Sequence, residues 1–391
     1  MHPIVIIGSG MAAYAVAREF RKLDPDTALM MICADDARNY AKPTLSNALV
    51  GNKAPAQIAL GDAEKMSNQL NMQILNHTWV KQIDTAAHCL SLEKDGQTTQ
   101  QSYSKLILAL GATPIRVPLQ GNAADQLHVV NNLNDYTAFR AELDQKTAQR
   151  VVILGAGLIG CEFANDLQQS GHQATVIDLA EQPLARLLPS DVAQVFQEKL
   201  QQAGIGFELG TTVNAIDQHA DAYAVSLANG KVLDADVLLS AIGLRANTQL
   251  AEQAGIQVSR GIVANTQLET SVADIYAVGD CAEVHGTLLP YVMPIMQQAR
   301  ALAKTLSGTT TQVHYPAMPV AVKTPAAPLT VLPIPHEVEV SWTIETQEDG
   351  LIAKAIDAND TLRGFVLLGA SAGKQRLSLS KLVPDLIPAA L

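Results

Sequence analysis

Cysteine is scarce: Cys33, Cys89, Cys161 and Cys281 are the only four in 391 residues. No two of them stand at a Cys-x-x-Cys or zinc-ligand spacing, so each is expected to be a small buried apolar side chain, not a metal ligand or half of a redox pair. A basic surplus is also missing. The formal net charge is −11, which argues against nucleic acid or an anionic membrane surface as the main partner, because both attract a basic field. No apolar run approaches the roughly 20 residues needed to span a bilayer. The first strand begins within a few residues of Met1, leaving no room for a signal peptide. These absences predict a soluble, cytoplasmic protein. Hydrophobic residues make up 48% of the chain, which excludes wholesale disorder, and the length predicts two or three domains.

What is present is concentrated first in residues 4–35. The apolar run Ile4-Val5-Ile6-Ile7 leads into Gly8-Ser9-Gly10-Met11-Ala12-Ala13, an apolar-striped helix through Phe20, and a second apolar run ending at Asp35. Strand, glycine turn, helix, strand and acid in that order make a dinucleotide-binding βαβ unit. Gly8 permits the turn, and Gly10 lets a pyrophosphate approach backbone N–H groups at the helix N-terminus, where the dipole favours negative charge. Ala13 stands where a third glycine is usual, at a position that only has to let helix and strand pack closely. Asp35 is placed to accept hydrogen bonds from a ribose.

The pattern then repeats. Val151-Val152-Ile153-Leu154 precedes Gly155-Ala156-Gly157-Leu158-Ile159-Gly160, and Ala174-Thr175-Val176-Ile177 ends at Asp178. Two such units in one chain predict two dinucleotide sites. Asp178 would bond the 2′-hydroxyl of NAD and repel a 2′-phosphate, and neither Leu179 nor Ala180 offers a cation to accept one, so NADH is expected over NADPH.

Between and after the two units the chain carries further signals. Residues 36–43 read as a polar loop entering a short helix over 44–50, with Lys42 either a solvated cation or one that returns to a cofactor. Residues 71–83 hold two short strands, where Val80 either meets an adenine ring or simply packs. Leu106 to Pro114 reads as a buried strand ending in a Gly/Pro turn, and Arg116 beyond it could reach a phosphate or sit on a surface linker. An apolar strand is expected over 233–239. Asp274-Ile275-Tyr276-Ala277-Val278-Gly279-Asp280 is a strand, a glycine permitting close approach, and an acid that either caps the next segment or bonds a sugar-alcohol chain. Tyr291-Val292-Met293-Pro294 opens a helix to about Leu306. Strands are expected over 338–344, 351–355 and 362–367, and a last helix over 372–382. The fold class is therefore α/β: two Rossmann-like dinucleotide-binding domains, one inserted in the other, plus a small α+β C-terminal domain. The divisions are 1–113 with 243–315, 114–242, and 316–391.

These features resemble the flavoprotein pyridine-nucleotide disulfide oxidoreductase superfamily over essentially the whole chain. Within it, Gly155 through Leu167 (Gly155-Ala156-Gly157-Leu158-Ile159-Gly160-Cys161-Glu162-Phe163-Ala164-Asn165-Asp166-Leu167) is similar to rubredoxin–NAD reductases, the flavoenzymes that feed electrons through rubredoxin to bacterial alkane hydroxylases. So are Ala34-Asp35-Asp36, Ala41-Lys42-Pro43, Tyr276-Ala277-Val278-Gly279-Asp280-Cys281-Ala282-Glu283, Tyr291-Val292-Met293-Pro294 and Val322-Lys323-Thr324-Pro325-Ala326. The resemblance implies FAD in the first site. Gly8, Ser9, Gly10, Met11 and Ala12 would lie at its pyrophosphate, Ala34 and Asp35 at the adenosine ribose, Val80 at the adenine, and Gly279 and Asp280 at the ribityl chain. Lys42, Pro43, Val292 and Lys323 would surround the isoalloxazine, with Arg116 as a further cofactor contact. NADH would use Gly155, Gly157, Leu158, Ile159, Gly160 and Asp178. Glu162 would face the nicotinamide and pair with Lys42, and these two are the residues implied in catalysis, through position and charge.

The departures from the superfamily carry information too. Ferredoxin reductases usually have Pro-Leu-Ser-Lys where this chain has Thr44-Leu45-Ser46-Asn47, so Lys42 is expected to take over the lysine's role. The paired cysteines and C-terminal histidine of the disulfide reductases are absent, which excludes disulfide chemistry. The implied partner, rubredoxin, is typically acidic. An acidic enzyme must then meet it through a local basic or apolar patch, for which Arg38, Lys42 and Lys323 are candidates. The competing expectations are an NADH-dependent ferredoxin reductase of an oxygenase system, and a redox-responsive FAD/NADH-binding partner protein with little turnover, like the apoptosis-inducing-factor relatives.

Overall fold

The computed structural model describes residues 2–335 and 338–388; of the expected C-terminal division 316–391, residues 336–337 and 389–391 lie outside the described residues. Two five-stranded parallel sheets form the body of the chain. The first runs Ile275–Ala277, Lys105–Leu108, Ile4–Ile7, Leu29–Ile32, Gln73–Leu75. The second runs Gly206–Leu209, Gln173–Asp178, Arg150–Leu154, Val237–Ser240, His128–Val129. Their central strands are continuous apolar runs because helices or other strands cover both faces.

Each parallel sheet carries a three-stranded antiparallel excursion, Trp79–Asp84 to Gln97–Ser102 in the first and Val213–His219 to Val232–Ala235 in the second. The chain crosses between the two sheets on a pair of antiparallel strands, Ala112–Pro114 and Leu244–Ala246. A third five-stranded sheet, all antiparallel, closes the chain in the order Val320–Val322, Leu329–Leu332, Leu362–Leu368, Leu351–Ile356, Ser341–Thr346. No helix among the described residues is long and apolar enough to cross a membrane.

The helix Met11–Leu23 buries Ala12, Ala13, Tyr14, Ala15, Val16, Ala17 and Phe20. Its small alanine face lets it lie along the helix Val292–Leu306, which brings the N-terminus of that second helix to the same end of the sheet as the glycine turn. Gly8 makes the turn with φ +117°, and a side chain there would drive into the Ala109 carbonyl. Beneath the second sheet one apolar core takes in Phe139, Phe163 and Phe196, together with Leu45, Leu49 and Ile58 from the segment after the first unit and Val322, Leu329 and Val366 from the third sheet. The second and third sheets and the segment after the first unit therefore meet around the second fingerprint helix.

Four expected elements differ. The apolar run 233–239 is two strands in different sheets, Val232–Ala235 and Val237–Ser240. The break is at Asp236, whose carboxylate accepts the Arg150 backbone N–H at 2.9 Å and the guanidinium at 3.1 Å. The short helix expected over 44–50 is a 3-10 segment, Lys42–Asn47, starting early because Pro43 suits a first turn. The last helix is two short pieces, Ala370–Gly373 and Arg376–Ser380. The strand expected from Val338 begins at Ser341, and Val320–Val322 and Leu329–Leu332 were not anticipated.

Candidate functional site

Both glycine turns open on one continuous cavity of about 3300 Å³, several times the roughly 300–1,000 Å³ of an ordinary small-molecule pocket. Its walls include Gly8, Ser9, Gly10, Met11, Ala12, Ala34, Asp35, Lys42, Pro43 and Val80. From the second unit they include Gly155, Gly157, Leu158, Ile159, Glu162 and Asp178, and from the later segments Asp280, Val292 and Lys323. Gly160 and Gly279 stand behind the wall and let segments pack: a Cβ on Gly160 would overlap the Gly155 carbonyl, and one on Gly279 would come within 2.7 Å of the Ala12 Cβ.

Arg116 does not fit its expected place. It is exposed and outside the cavity lining, because the proline-flanked connector carries it onto the surface. Arg245 and Arg260 line the cavity instead; neither follows a local motif, so nothing in the sequence marks them.

The two turns are built alike. Neither the helix Met11–Leu23 nor the helix Leu158–Gln169 has a side-chain cap at its N-terminus. A Cβ placed on Gly10 or Gly157 would meet nothing within 4 Å. Uncapped N–H groups facing open space at two helix N-termini fit two pyrophosphates. Each acid is held against its own turn: Asp35 accepts the Ser9 hydroxyl at 2.6 and 2.7 Å and the Ala37 N–H at 3.0 Å. Asp178 accepts the Ala156 N–H at 2.6 Å and the Ala180 N–H at 2.8 Å. Both carboxylates keep lone pairs for a ribose.

Where the two halves of the cavity meet, charged side chains gather. Glu162 pairs with Lys323, not with Lys42 as expected. Its carboxylate also accepts the Ser46 hydroxyl at 2.6 Å and the Lys323 backbone N–H at 3.0 Å, and Lys323 Nζ reaches Ser46 Oγ at 3.1 Å. Lys42 instead belongs electrostatically to Asp280. Burial pushes the Asp280 carboxyl up from the usual carboxylate range while the Lys42 charge opposes it, and burial pushes Lys42 down while Asp280, then Asp135, oppose it. Of the two lysines, then, only Lys323 pairs with the expected glutamate, while Lys42 makes no ion pair among the described residues and feels Asp280 only as a neighbouring charge. Ser46 was missed, although it sits in the Thr44-Leu45-Ser46-Asn47 stretch already singled out.

The four cysteines form no disulfide among the described residues: Cys33, Cys161 and Cys281 are buried and Cys89 is half-buried. Burial pushes the Cys281 thiol up to about 11, the behaviour of an inert core thiol.

Comparison with known proteins narrows what binds here. The sequence profile described as rubredoxin binding C-terminal domain matches residues 312–383, the segment that forms the third sheet. A rubredoxin-NAD(+) reductase of Acinetobacter baylyi is 68% identical over 393 aligned positions, covering 100% of both chains. A second, from Alcanivorax borkumensis, is 41% identical and covers 99% of this chain and 100% of its own. Among solved structures, the covalent putidaredoxin reductase–putidaredoxin complex superposes with a TM-score of 0.87 at 24% identity, over 98% of this chain and 94% of that one, a likeness of fold. The profile described as pyridine nucleotide-disulphide oxidoreductase spans residues 2–305, both glycine turns included, and with it this chain belongs to that family and is an FAD- and NADH-dependent oxidoreductase.

Proposed function

We propose that the chain is an NADH-dependent reductase passing electrons through FAD to rubredoxin, a small iron–thiolate protein. The observation that carries this is the single cavity joining two dinucleotide cradles, in a chain whose C-terminal sheet matches a rubredoxin-binding domain. When bound, FAD supplies the conversion itself, taking a hydride from NADH and handing on electrons singly. The protein's own part is to hold and orient.

The N–H groups of Ser9, Gly10, Met11 and Ala12 hold the FAD pyrophosphate, Ala34 and Asp35 its ribose, Val80 its adenine, and Asp280 its ribityl chain. Lys42, Pro43, Val292 and Lys323 surround the ring system. Gly155, Gly157, Leu158, Ile159 and Asp178 hold NADH. Lys42 keeps positive charge at the ring, and Glu162 keeps Lys323 in place; neither has to move a proton. In domain terms, 1–113 with 243–315 bind FAD, 114–242 bind NADH, and 316–391 form the interface to the partner. A role in supplying an alkane hydroxylase follows from the sequence resemblance, and a cytoplasmic location accords with thiols that remain unpaired.

Of the cations expected to dock rubredoxin, Arg38 is engaged by Asp36 and Asn134, Lys323 by Glu162, and Lys42 is half-buried in the cavity wall. A better surface lies at the cavity rim, where Arg376, Val383 and Leu386 line the opening. There Leu377 (68% exposed) and Leu382 (64%) stand among Lys374, Arg376 and Lys381, none of which makes an ion pair among the described residues. An apolar centre with a basic edge suits an acidic carrier. Reversing charge at Lys374 and Lys381 together, K374E and K381E, is expected to lower kcat/KM for rubredoxin by about tenfold at low salt, in the range of electrostatic steering. Flavin reduction by NADH should be unaltered. Steady-state rates against rubredoxin concentration at two ionic strengths check this, and an undiminished, equally salt-sensitive rate would remove the patch from the docking surface.

A further inference from the structure

The helix Leu158–Gln169 buries three polar side chains, Glu162, Asn165 and Asp166, on the remainder of an apolar helix. Their i, i+3, i+4 spacing puts them side by side. Each grips backbone from a segment outside the second dinucleotide unit. Besides the Glu162 contacts with Ser46 and Lys323, Asn165 Oδ1 accepts the Ala326 N–H at 3.1 Å. Asp166 accepts the Leu49 N–H on Oδ2 at 2.9 Å and the Val50 N–H on Oδ1 at 3.1 Å.

Asp166 is 2% exposed and makes no ion pair among the described residues. Burial pushes its carboxyl up, and the two N–H donors pull it back. A carboxylate buried without a counter-ion is costly, and packing alone would be served by an apolar side chain. What the carboxylate supplies is two acceptor oxygens for two adjacent N–H groups, which an amide, with one oxygen, cannot match. The strap it holds, residues 42–50, is fixed to this helix at two points: Ser46 donates to Glu162, and the Leu49 and Val50 N–H groups end on Asp166.

We propose that Asp166 is a positioning residue for hydride transfer: by tying the strap to the second fingerprint helix, it sets where the nicotinamide stands relative to the flavin ring. This rests on the FAD and NADH reading and not on the identity of the acceptor. The test uses Asp166→Asn and Asp166→Glu holoenzymes mixed anaerobically with NADH. In Asp166→Asn the limiting rate of flavin bleaching should fall about tenfold or more, since about 1 Å of misplacement costs that much or more. FAD content should stay at the parent value, and the NADH concentration for half-maximal rate should move by less than about threefold, the mark of a lost transition-state interaction.

A readout independent of turnover comes from the apoprotein, where the Leu49 and Val50 amides should exchange with deuterium about tenfold faster in Asp166→Asn. Asp166→Glu, which keeps both acceptors on a longer stem, should leave those amides protected while still slowing bleaching. Parental bleaching and exchange rates in Asp166→Asn would overturn the proposal. So would loss of FAD or of folded protein in both variants, which would make Asp166 a folding residue. A parent enzyme that NADH fails to bleach would instead overturn the FAD and NADH reading.

Discussion

Glu162→Ala is expected to cost about 2–4 kcal/mol of stability and to slow NADH-driven flavin reduction by tenfold or more, while FAD stays bound. The Glu162 side chain is 8% exposed and Lys323 29%, so removing the carboxylate strands an ammonium that is mostly out of water. It also leaves the Ser46 hydroxyl and the Lys323 backbone N–H without their acceptor. Breaking a buried pair costs about 3–5 kcal/mol, and the partial exposure of Lys323 lowers the expectation by about 1 kcal/mol. FAD should remain because none of its proposed pyrophosphate or ribose contacts involves Glu162. Glu162→Gln keeps one acceptor oxygen and should show a smaller loss of stability. Urea unfolding and anaerobic rapid mixing with NADH measure the two effects, and a Glu162→Ala enzyme as stable and as quickly reduced as the parent would sink this reading of the pair.

The second large effect is expected at Gly160→Val. A Cβ at this position would overlap the Gly155 carbonyl oxygen, which is backbone and cannot rotate away. The helix Leu158–Gln169 would have to lift off its own turn, carrying the N–H groups of Leu158 and Ile159 with it. Overpacking of this kind costs about 1–3 kcal/mol, and here it falls on the proposed NADH cradle, so the NADH KM should rise by about 10–100-fold. The first unit already has Ala13 at the matching position, fully buried, so Ala13→Gly should change FAD retention little. Steady-state KM for NADH and the flavin-to-protein ratio separate the two outcomes. Loss of flavin from Gly160→Val with NADH affinity intact would reverse the assignment of the sites.

Much of this arrangement was legible in the chain because its causes are local. Ile4-Val5-Ile6-Ile7 and Val151-Val152-Ile153-Leu154 are short, wholly apolar and followed at once by glycine turns, which is what a strand buried on both faces must look like. The acids Asp35 and Asp178 follow from where the next strand ends. What escaped has distant causes. Lys323 meets Glu162 across 161 positions of sequence, so pairing Glu162 with the nearer Lys42 was a guess about tertiary contact, and the packing of the third sheet on the second fingerprint helix decided otherwise. Asp236 splits an apolar run because Arg150, in a neighbouring strand, claims its carboxylate. Val320–Val322 and Leu329–Leu332 are too short to show a period of their own, and they are strands because Leu362–Leu368 offers them an edge. Asn165 and Asp166 did carry a signal, two polar residues one turn beyond Glu162 on an otherwise apolar helix.

One anaerobic titration tests the pair of separate sites most directly: NADH is added to the purified yellow enzyme and to its Asp178→Ala variant while the visible flavin band is followed. Two cradles sharing one cavity predict that the parent bleaches on adding about one equivalent of NADH. The variant should keep its full flavin yet need about tenfold more NADH or higher to reach half its limiting bleaching rate, the loss of one charge-assisted hydrogen-bond set of about 1.5–3 kcal/mol. Flavin lost from the Asp178→Ala protein, or an NADH requirement that does not change, would contradict it.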